Sequence, residues 1–211
     1  MSAGLMASFV LASAMLTESY AVGGVHLGDS PATARAELLA LGYSITVQYS
    51  ASYQQRLLAA KAEGSGRQPA VTKPTGIGSY QAVNGSQRVT VRFDDNASGQ
   101  RVVSRVRYTA PELAHPYDAA LRTLVARNGT PTKVRPYGVV WCGAVPGSEG
   151  EENGCDVGVP ALGDSLTIRQ QGGFSPTIVL VELETGTKTL KVWAAAHEAD
   201  LRRLARERDT L

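Results

Sequence analysis

Alternating apolar and polar residues along this chain predict an antiparallel sheet built from short strands. The cleanest example is residues 87–93, in which Val89, Val91 and Phe93 alternate with two arginines and a threonine. Because the side chains of a strand point alternately to opposite faces, this pattern is typical of a strand with one buried and one solvated face. Further strands are predicted at residues 43–49, 79–83, 101–108, 133–137, 139–145, 165–170, 177–184 and 188–193.

Helices are predicted where apolar residues recur at a spacing of three or four. The first has Ser30 as its N-cap, Pro31 at its first position and Gly42 directly after its last turn, which are residue types that begin and end helices. Further helices are predicted at residues 52–63, 117–128 and 194–211, the last of them polar and rich in arginine.

The order of these elements suggests a plan that occurs twice. A helix-plus-meander unit covers residues 22–108 and again residues 117–193, although the two copies do not align in sequence, and the helix at 194–211 follows. We therefore predict an α+β fold, with an antiparallel β-sheet and helices packed on one face. The pattern leaves open whether the halves are separate domains or share one continuous sheet.

The N-terminal residues favour export. Residues 5–16 are apolar but too few to span a bilayer, and small residues precede candidate cleavage points after Ala14 and Ala21. We predict a signal peptide at residues 1–21 and a periplasmic or secreted protein with no transmembrane span. The first basic residue is Arg35, so the alternative of a buried N-terminal helix in a cytosolic protein stays open.

Two cysteines, Cys142 and Cys155, flank a loop rich in glycine and glutamate. In an exported chain this spacing predicts a disulfide, which would stabilise the fold by about 3 kcal/mol for a loop of this length. Two thiols without a neighbouring histidine supply only two of the four ligands of a zinc site, so no metal is expected. No other cofactor is expected either.

The composition and the net charge indicate which classes of partner to expect. The chain has 211 residues, 43% of them hydrophobic and 19% charged, with a formal net charge of +2. These values are typical of a globular protein with a modest core. Nucleic-acid-binding proteins usually carry a stronger basic excess, so no nucleic-acid partner is predicted.

The first half of the chain resembles small envelope proteins of proteobacteria. The resemblance rests on Leu27-Gly28-Asp29-Ser30-Pro31, the alanine-rich helix that follows and Leu41-Gly42-Tyr43, and on residues 121–131 in the second half. Outer-membrane assembly lipoproteins of the SmpA/OmlA type and tandem-repeat β-lactamase inhibitor proteins share this helix-plus-meander unit. Ala21 or Val22 stands where a lipoprotein needs its lipid-bearing cysteine, and this departure from the lipoprotein pattern favours a soluble periplasmic protein.

Two clusters of charged residues are candidate binding sites. The acidic cluster lies in and beside the loop between the cysteines and consists of Glu149, Glu151, Glu152 and Asp156. A loop braced by a disulfide is a suitable recognition element, because bracing lowers the cost of ordering it on binding. The alternative is a solvated hairpin tip, and the spacing does not match a dedicated calcium loop.

The second cluster lies on the polar side of the first meander. Arg88, Arg92, Arg105 and Arg107 share one face of the predicted strands and would form a basic face. Such a face suits anionic lipid headgroups, peptidoglycan or an acidic partner. The alternative is a solvated face that protects the sheet from aggregation.

Sequence motifs for catalysis are missing. His26, His115 and His197 lie in different segments, and no Gly-x-Ser-x-Gly motif occurs. We therefore predict a non-enzymatic exported protein that binds another protein or an envelope component. The alternative is a small exported hydrolase-type enzyme with scattered catalytic residues, which requires a concave pocket with at least two converging titratable groups.

Overall fold

Ten strands and four helices form in the part of the chain that the computed structural model describes, residues 20–70, 72–143, 155–157, 159–172 and 177–208. In chain order they are β1 (Ala21–Val22), β2 (Val25–His26), α1 (Pro31–Ala40), β3 (Ser44–Ser50), α2 (Tyr53–Gly64), β4 (Gly76–Asn84), β5 (Gln87–Asp95), β6 (Arg101–Pro111), α3 (Tyr117–Asn128), β7 (Lys133–Arg135), β8 (Gly138–Cys142), β9 (Ser165–Gln171), β10 (Ile178–Glu184) and α4 (Thr187–Arg208).

Eight of these strands form one antiparallel sheet in the order β3-β4-β5-β6-β10-β9-β8-β7. Each half of the chain supplies four neighbouring strands of this sheet. The first strand of each half lies at an edge and the last lies at the centre, where β6 and β10 pair with each other. β1 and β2 form a separate hairpin. The prediction of an α+β fold is confirmed, and the sheet is continuous through both halves.

The main hydrophobic core lies between the sheet and the helices α1 and α3. Ala34 and Leu38 of α1 are fully buried, and Leu121 and Leu124 of α3 pack against the same cluster. The sheet contributes Tyr80, Val89, Val91, Phe93, Val103, Val106, Val139, Trp141, Leu166, Ile168, Val179, Val181 and Leu183. Burying a large apolar side chain contributes about 1.5–3 kcal/mol, so this cluster holds both halves of the sheet together.

Two helices begin at the serines that the sequence indicates. The Ser30 hydroxyl accepts a hydrogen bond from the Thr33 backbone N–H at 3.1 Å, and Pro31 occupies the first turn of α1. At α2, Ser52 and Gln55 form a capping box in which each side chain accepts from the backbone N–H of the other residue. These bonds satisfy N–H groups that have no partner inside the helix.

The strand expected at residues 188–193 is wrong, because these residues form the first turns of α4. The backbone N–H groups of Thr187 and Lys188 donate to the carbonyl oxygens of Ala161 and Leu162, at 2.9 and 3.1 Å. The first N–H groups of a helix need acceptors from outside it, and a distant segment supplies them here. The alternation of Leu190 and Val192 favours a strand, and it cannot indicate that a distant segment provides acceptors for the start of a helix.

Strict alternation also fails within β6. Arg105 lies opposite Arg92, whereas Val103 lies opposite Phe93, so Ser104 is an extra residue that forms a β-bulge. Strict alternation from Arg105 would place Val103 on the polar face, whereas the bulge places it in the core. β6 also extends to Pro111, three residues beyond the strand predicted at residues 101–108.

Within the described residues, no helix has both the length and the apolar character needed to cross a membrane.

Candidate functional site

The face of the sheet that points away from α1 and α3 carries polar and charged side chains along its central strands. This charged face is formed by Arg88, Thr90 and Arg92 of β5, Arg105 and Arg107 of β6, Glu182 and Glu184 of β10, and Ser165, Thr167 and Arg169 of β9. They share the face because they alternate along each strand with the core residues, and the strand register places them side by side.

Three recesses adjoin one another on this face and form one trough. Their volumes are about 280, 280 and 170 Å³. Arg92 and Asp94 line both the first and the second recess. Arg105, Pro160 and Glu184 line both the second and the third. The trough therefore runs across β5, β6, β10 and β9.

The segment that leads into β9 forms one wall of the trough. Its position depends on Asp164, whose backbone oxygen accepts from the Gly143 N–H at 2.7 Å and whose side chain accepts from the Gly186 N–H at 2.9 Å. A Cβ atom at Gly186 would lie 2.4 Å from the carbonyl oxygen of Leu162. The wall thus approaches the start of α4 so closely that position 186 requires glycine.

Glu182 is the central carboxylate of the trough. Its side chain is only 11% exposed, and it accepts from Arg107 Nη2 at 2.6 Å and from Arg169 Nη2 at 2.8 Å. Arg107 lies on β6 and Arg169 on β9, the two strands that flank β10. Charge-assisted hydrogen bonds from both sides hold the two guanidinium groups in defined positions.

A second set of contacts orders the middle of the trough. Arg105 and Glu184 are directly opposite in the β6–β10 register, and Arg105 Nε lies 2.6 Å from Glu184 Oε1. Arg92 Nε lies 3.5 Å from Asp94 Oδ2, which also accepts from the hydroxyl of Ser104 at 2.6 Å. The bulge at Ser104 therefore helps to position the carboxylate that faces Arg92.

A buried ion pair closes the other end of the trough. Asp95 is 2% exposed at its side chain and accepts from Arg101 Nε at 2.7 Å and from Arg56 of α2. Arg101 also donates to the hydroxyl of Ser50 and the carbonyl oxygen of Ala51, both at 3.0 Å. This network ties α2 and the end of β3 to the sheet and gives the trough a rigid end.

The trough carries more positive than negative charge. Its lining contains six arginines (Arg56, Arg92, Arg101, Arg105, Arg107 and Arg169) and four carboxylates (Asp94, Asp95, Glu182 and Glu184), a net charge of +2. Charges along a concave surface reinforce one another, so the trough favours an anionic partner.

The four arginines predicted to form a basic face do share one face, and Arg92, Arg105 and Arg107 line the trough. Arg88 lies beyond it, opposite Thr109. The face is not uniformly basic, however, because Glu182 and Glu184 pair with Arg107 and Arg105. Sequence reasoning missed both glutamates as site residues, although their alternation with the apolar residues of β10 marks them as facing away from the core.

Of the predicted acidic cluster, the structure describes only Asp156. Glu149, Glu151 and Glu152 lie outside the described residues. Asp156 is paired with β7, since Arg135 Nη2 lies 2.8 Å and Lys133 Nζ 3.3 Å from its Oδ2. The hydrogen bonds from Arg135, together with one from the Val157 N–H, hold the pKa of Asp156 well below its usual range.

Cys142 and Cys155 are joined by a disulfide, with their Cα atoms 6.4 Å apart. This separation lies within the usual range for the bond. The disulfide links the end of β8 to the segment that continues into the trough wall. The predicted pairing is thus seen, and it fixes one end of that segment.

The three histidines lie apart from the trough. His26 is next to Asp29, and His115 is hydrogen-bonded to Gln87. His197 of α4 packs on the ring of Tyr53 of α2, with the ring centroids 4.8 Å apart.

Tyr53 also joins the two helices through a hydrogen bond that its hydroxyl donates to Asp200. Burial, followed by this bond, raises the pKa of Tyr53 to about 12. The bond in turn lowers the pKa of Asp200. Both shifts favour the neutral phenol and the ionised carboxylate that the bond needs, so the cluster serves to dock α4 on α2.

Among the described residues, no group of three or more histidine, cysteine, aspartate or glutamate side chains is arranged to hold a metal ion. The carboxylates of the trough are instead held by guanidinium groups.

Comparison of the chain with protein-family models, with curated proteins and with solved structures finds no match. The resemblance to helix-plus-meander envelope proteins therefore stays a prediction.

Proposed function

We propose that this protein is a non-enzymatic, exported binding module that holds an acidic surface of another envelope protein in the trough. The observation that carries the proposal is the set of arginines along the trough, which are positioned by ion pairs and leave a net charge of +2. Side chains held in place before binding lose little entropy on binding, and arginine is enriched in protein interfaces.

The shape of the trough also suits a protein partner. Apolar side chains stand beside the charges, since Val159 is 56% and Leu190 38% exposed and both line recesses of the trough. A mixture of fixed charges and exposed apolar groups is typical of a surface that is covered on association.

The ion pairs of the trough favour binding over catalysis. The hydrolase alternative requires converging groups that exchange protons or attack a substrate. The converging groups of the trough are guanidinium–carboxylate pairs, and a guanidinium group stays protonated in proteins. The guanidinium groups of these pairs are suited to bind anionic groups.

Export is supported by the disulfide between Cys142 and Cys155, because such bonds persist mainly in oxidising compartments. A periplasmic or secreted location would bring the trough into contact with envelope components.

Site-specific photo-crosslinking in the native cell envelope tests the proposal. We expect a photoreactive residue at Thr167, in the trough, to capture one discrete protein, and the same residue at Arg127, on the exposed side of α3, to capture none. Arg92→Glu, placed in the Thr167 reporter chain, should weaken capture at least several-fold, because it changes the net charge of the trough from +2 to 0.

Arg122→Glu is the matched control for Arg92→Glu, since it makes the same change on an exposed residue of α3. Capture that is equally strong with Arg92→Glu and Arg122→Glu would contradict an acidic partner in the trough. Capture at Arg127 but not at Thr167 would place the interface on the other side of the molecule.

A further inference from the structure

The two edges of the sheet differ in how well they are protected against pairing with another strand. β7, at one edge, has three residues, of which Lys133 and Arg135 are charged. β3, at the other edge, has seven residues and contains no charged residue and no proline. Charged residues, proline and short length are the means by which proteins block unwanted pairing at sheet edges, so only β7 carries them.

The outer side of β3 is open in the described part of the chain. β3 pairs with β4 on one side, and no residue of β3 makes a further backbone hydrogen bond on its other side. Alternate N–H and C=O groups of this strand therefore point outward, ready to bond with one more strand.

The residues of β3 are arranged symmetrically about Val47. In an antiparallel pairing of β3 with the same strand of a second copy, centred on Val47, Ile45 lies opposite Tyr49 and Thr46 lies opposite Gln48. Ser44 then lies opposite Ser50. Apolar residues meet apolar residues on one face and polar residues meet polar residues on the other, at every position of the strand.

Tyr49 supports this arrangement. Ile45 and Val47 are half-buried and pack against the core, whereas Tyr49, on the same face by alternation, is 60% exposed. In the symmetric pairing, Ile45 of the second copy covers the ring of Tyr49. Pairs of an aromatic and a β-branched residue on facing strands contribute roughly 0.2–1 kcal/mol each.

We propose that this protein forms a two-fold symmetric dimer in which the β3 strands of two copies pair and join the two sheets into one. Self-pairing brings no like charges together, because residues 44–50 are uncharged. The trough runs mainly across β5, β6, β10 and β9, and only its first recess reaches Ser50 at the end of β3, so the dimer would present two troughs. The dimer does not depend on the function proposed for the trough.

The interface is small, so its stability should depend on protein concentration in the micromolar range. We expect analytical ultracentrifugation of the oxidised full chain to show a monomer–dimer equilibrium. The variant Thr46→Lys/Gln48→Lys places lysine opposite lysine twice in the dimer and should raise the dissociation constant at least tenfold. Thr46→Glu/Gln48→Glu should do the same with negative charges.

Mixing the two variants is the decisive measurement. Each lysine then faces a glutamate, so the mixture should form a heterodimer although each variant alone is monomeric. Both positions are exposed, and the melting temperature of each variant checks that the fold is kept. Val134→Lys, at an exposed residue of the opposite edge, is the matched control and should leave the dimer unchanged.

Three outcomes would overturn the proposal. A native chain that remains monomeric at the highest concentration reached would show that β3 does not pair with itself, and would leave the edge to a strand of another protein. A dimer that the lysine variant leaves intact would place the interface elsewhere. Charge variants that stay monomeric when mixed would show that their effect does not come from facing residues.

Discussion

Glu182 of β10 accepts a hydrogen bond from Arg169 of β9 at 2.8 Å, and Glu182 is the less exposed of the two carboxylates that line the third recess. The pair is more enclosed than the neighbouring pair of Arg105 and Glu184, since the exposed fractions of the side chains are 33% and 11% against 43% and 25%. An enclosed ion pair is less screened by solvent, so the two pairs should differ in strength.

Double-mutant cycles with glutamine at both positions of each pair measure this difference. We expect a coupling of about 1 kcal/mol or more between Arg169 and Glu182, and a smaller one, within the range of about 0.2–1 kcal/mol of exposed pairs, between Arg105 and Glu184. Urea unfolding of the native chain, the single variants and the double variants gives both values. Equal couplings would show that burial of Glu182 does not strengthen its ion pair.

Trp141 anchors the end of α3 to β8. Its ring is 1% exposed, and its Nε1–H donates to the carbonyl oxygen of Gly129 at 2.9 Å. Trp141→Phe should lower the free energy of unfolding by about 1–3 kcal/mol, because the Gly129 carbonyl loses its donor and a smaller ring leaves part of a buried site empty. Trp193→Phe, at a half-buried residue of α4, is the control and should cost less. Equal losses would show that the indole contact is unimportant.

The ion pairs of Asp156 predict a pH-dependent contribution to stability. The pKa of Asp156 is lower in the folded chain than the ordinary value of 3.8, so its contribution is present above that value and is lost as the pH falls further. Asp156→Asn should therefore lower the melting temperature at pH 7, and the difference from the native chain should shrink in strong acid. Calorimetry across the acid range measures it.

Glu63→Gln is the control, because it removes the carboxylate of an exposed residue of α2 that forms no ion pair with another described residue. A difference between the native chain and Asp156→Asn that persists unchanged at low pH would mean that the ionised carboxylate is not what stabilises the segment.

The N-terminal hairpin bears on the predicted cleavage site. Ala21 and Val22 are 4% and 6% exposed and pair with His26 and Val25 in the β1–β2 hairpin. Cleavage after Ala21, the site favoured by the sequence, divides β1, whereas cleavage after Ala14 leaves it whole. A chain that begins at Val22 should therefore melt at a lower temperature than one that begins at Met15.

Mass spectrometry of the protein from its native cell fraction identifies the N-terminus in use. If the protein is exported, we expect loss of the N-terminal residues and alkylation of Cys142 and Cys155 only after reduction. An intact Met1 together with two freely alkylated thiols would contradict export and, with it, the proposed envelope partner.

The tertiary structure shows why the site was only partly predictable. The alternation in β5 and β6 places Arg92, Arg105 and Arg107 on one face, and that much was evident from the sequence. The glutamates that pair with Arg105 and Arg107 come from β10, which follows β6 by more than sixty residues. Periodicity reports which way a side chain points, but it does not report which strand lies next to it.

By itself, the sequence determined the local structure of this protein, because capping serines, tight turns and strand alternation act over a few residues. Ser30 and the alternation at residues 87–93 were sufficient to place the start of α1 and the strand β5. Tertiary structure alone decided the strand order, the bulge at Ser104 and the helical start of α4 at Thr187. These features depend on hydrogen bonds between residues that are distant in the chain, and a local pattern contains no record of such partners.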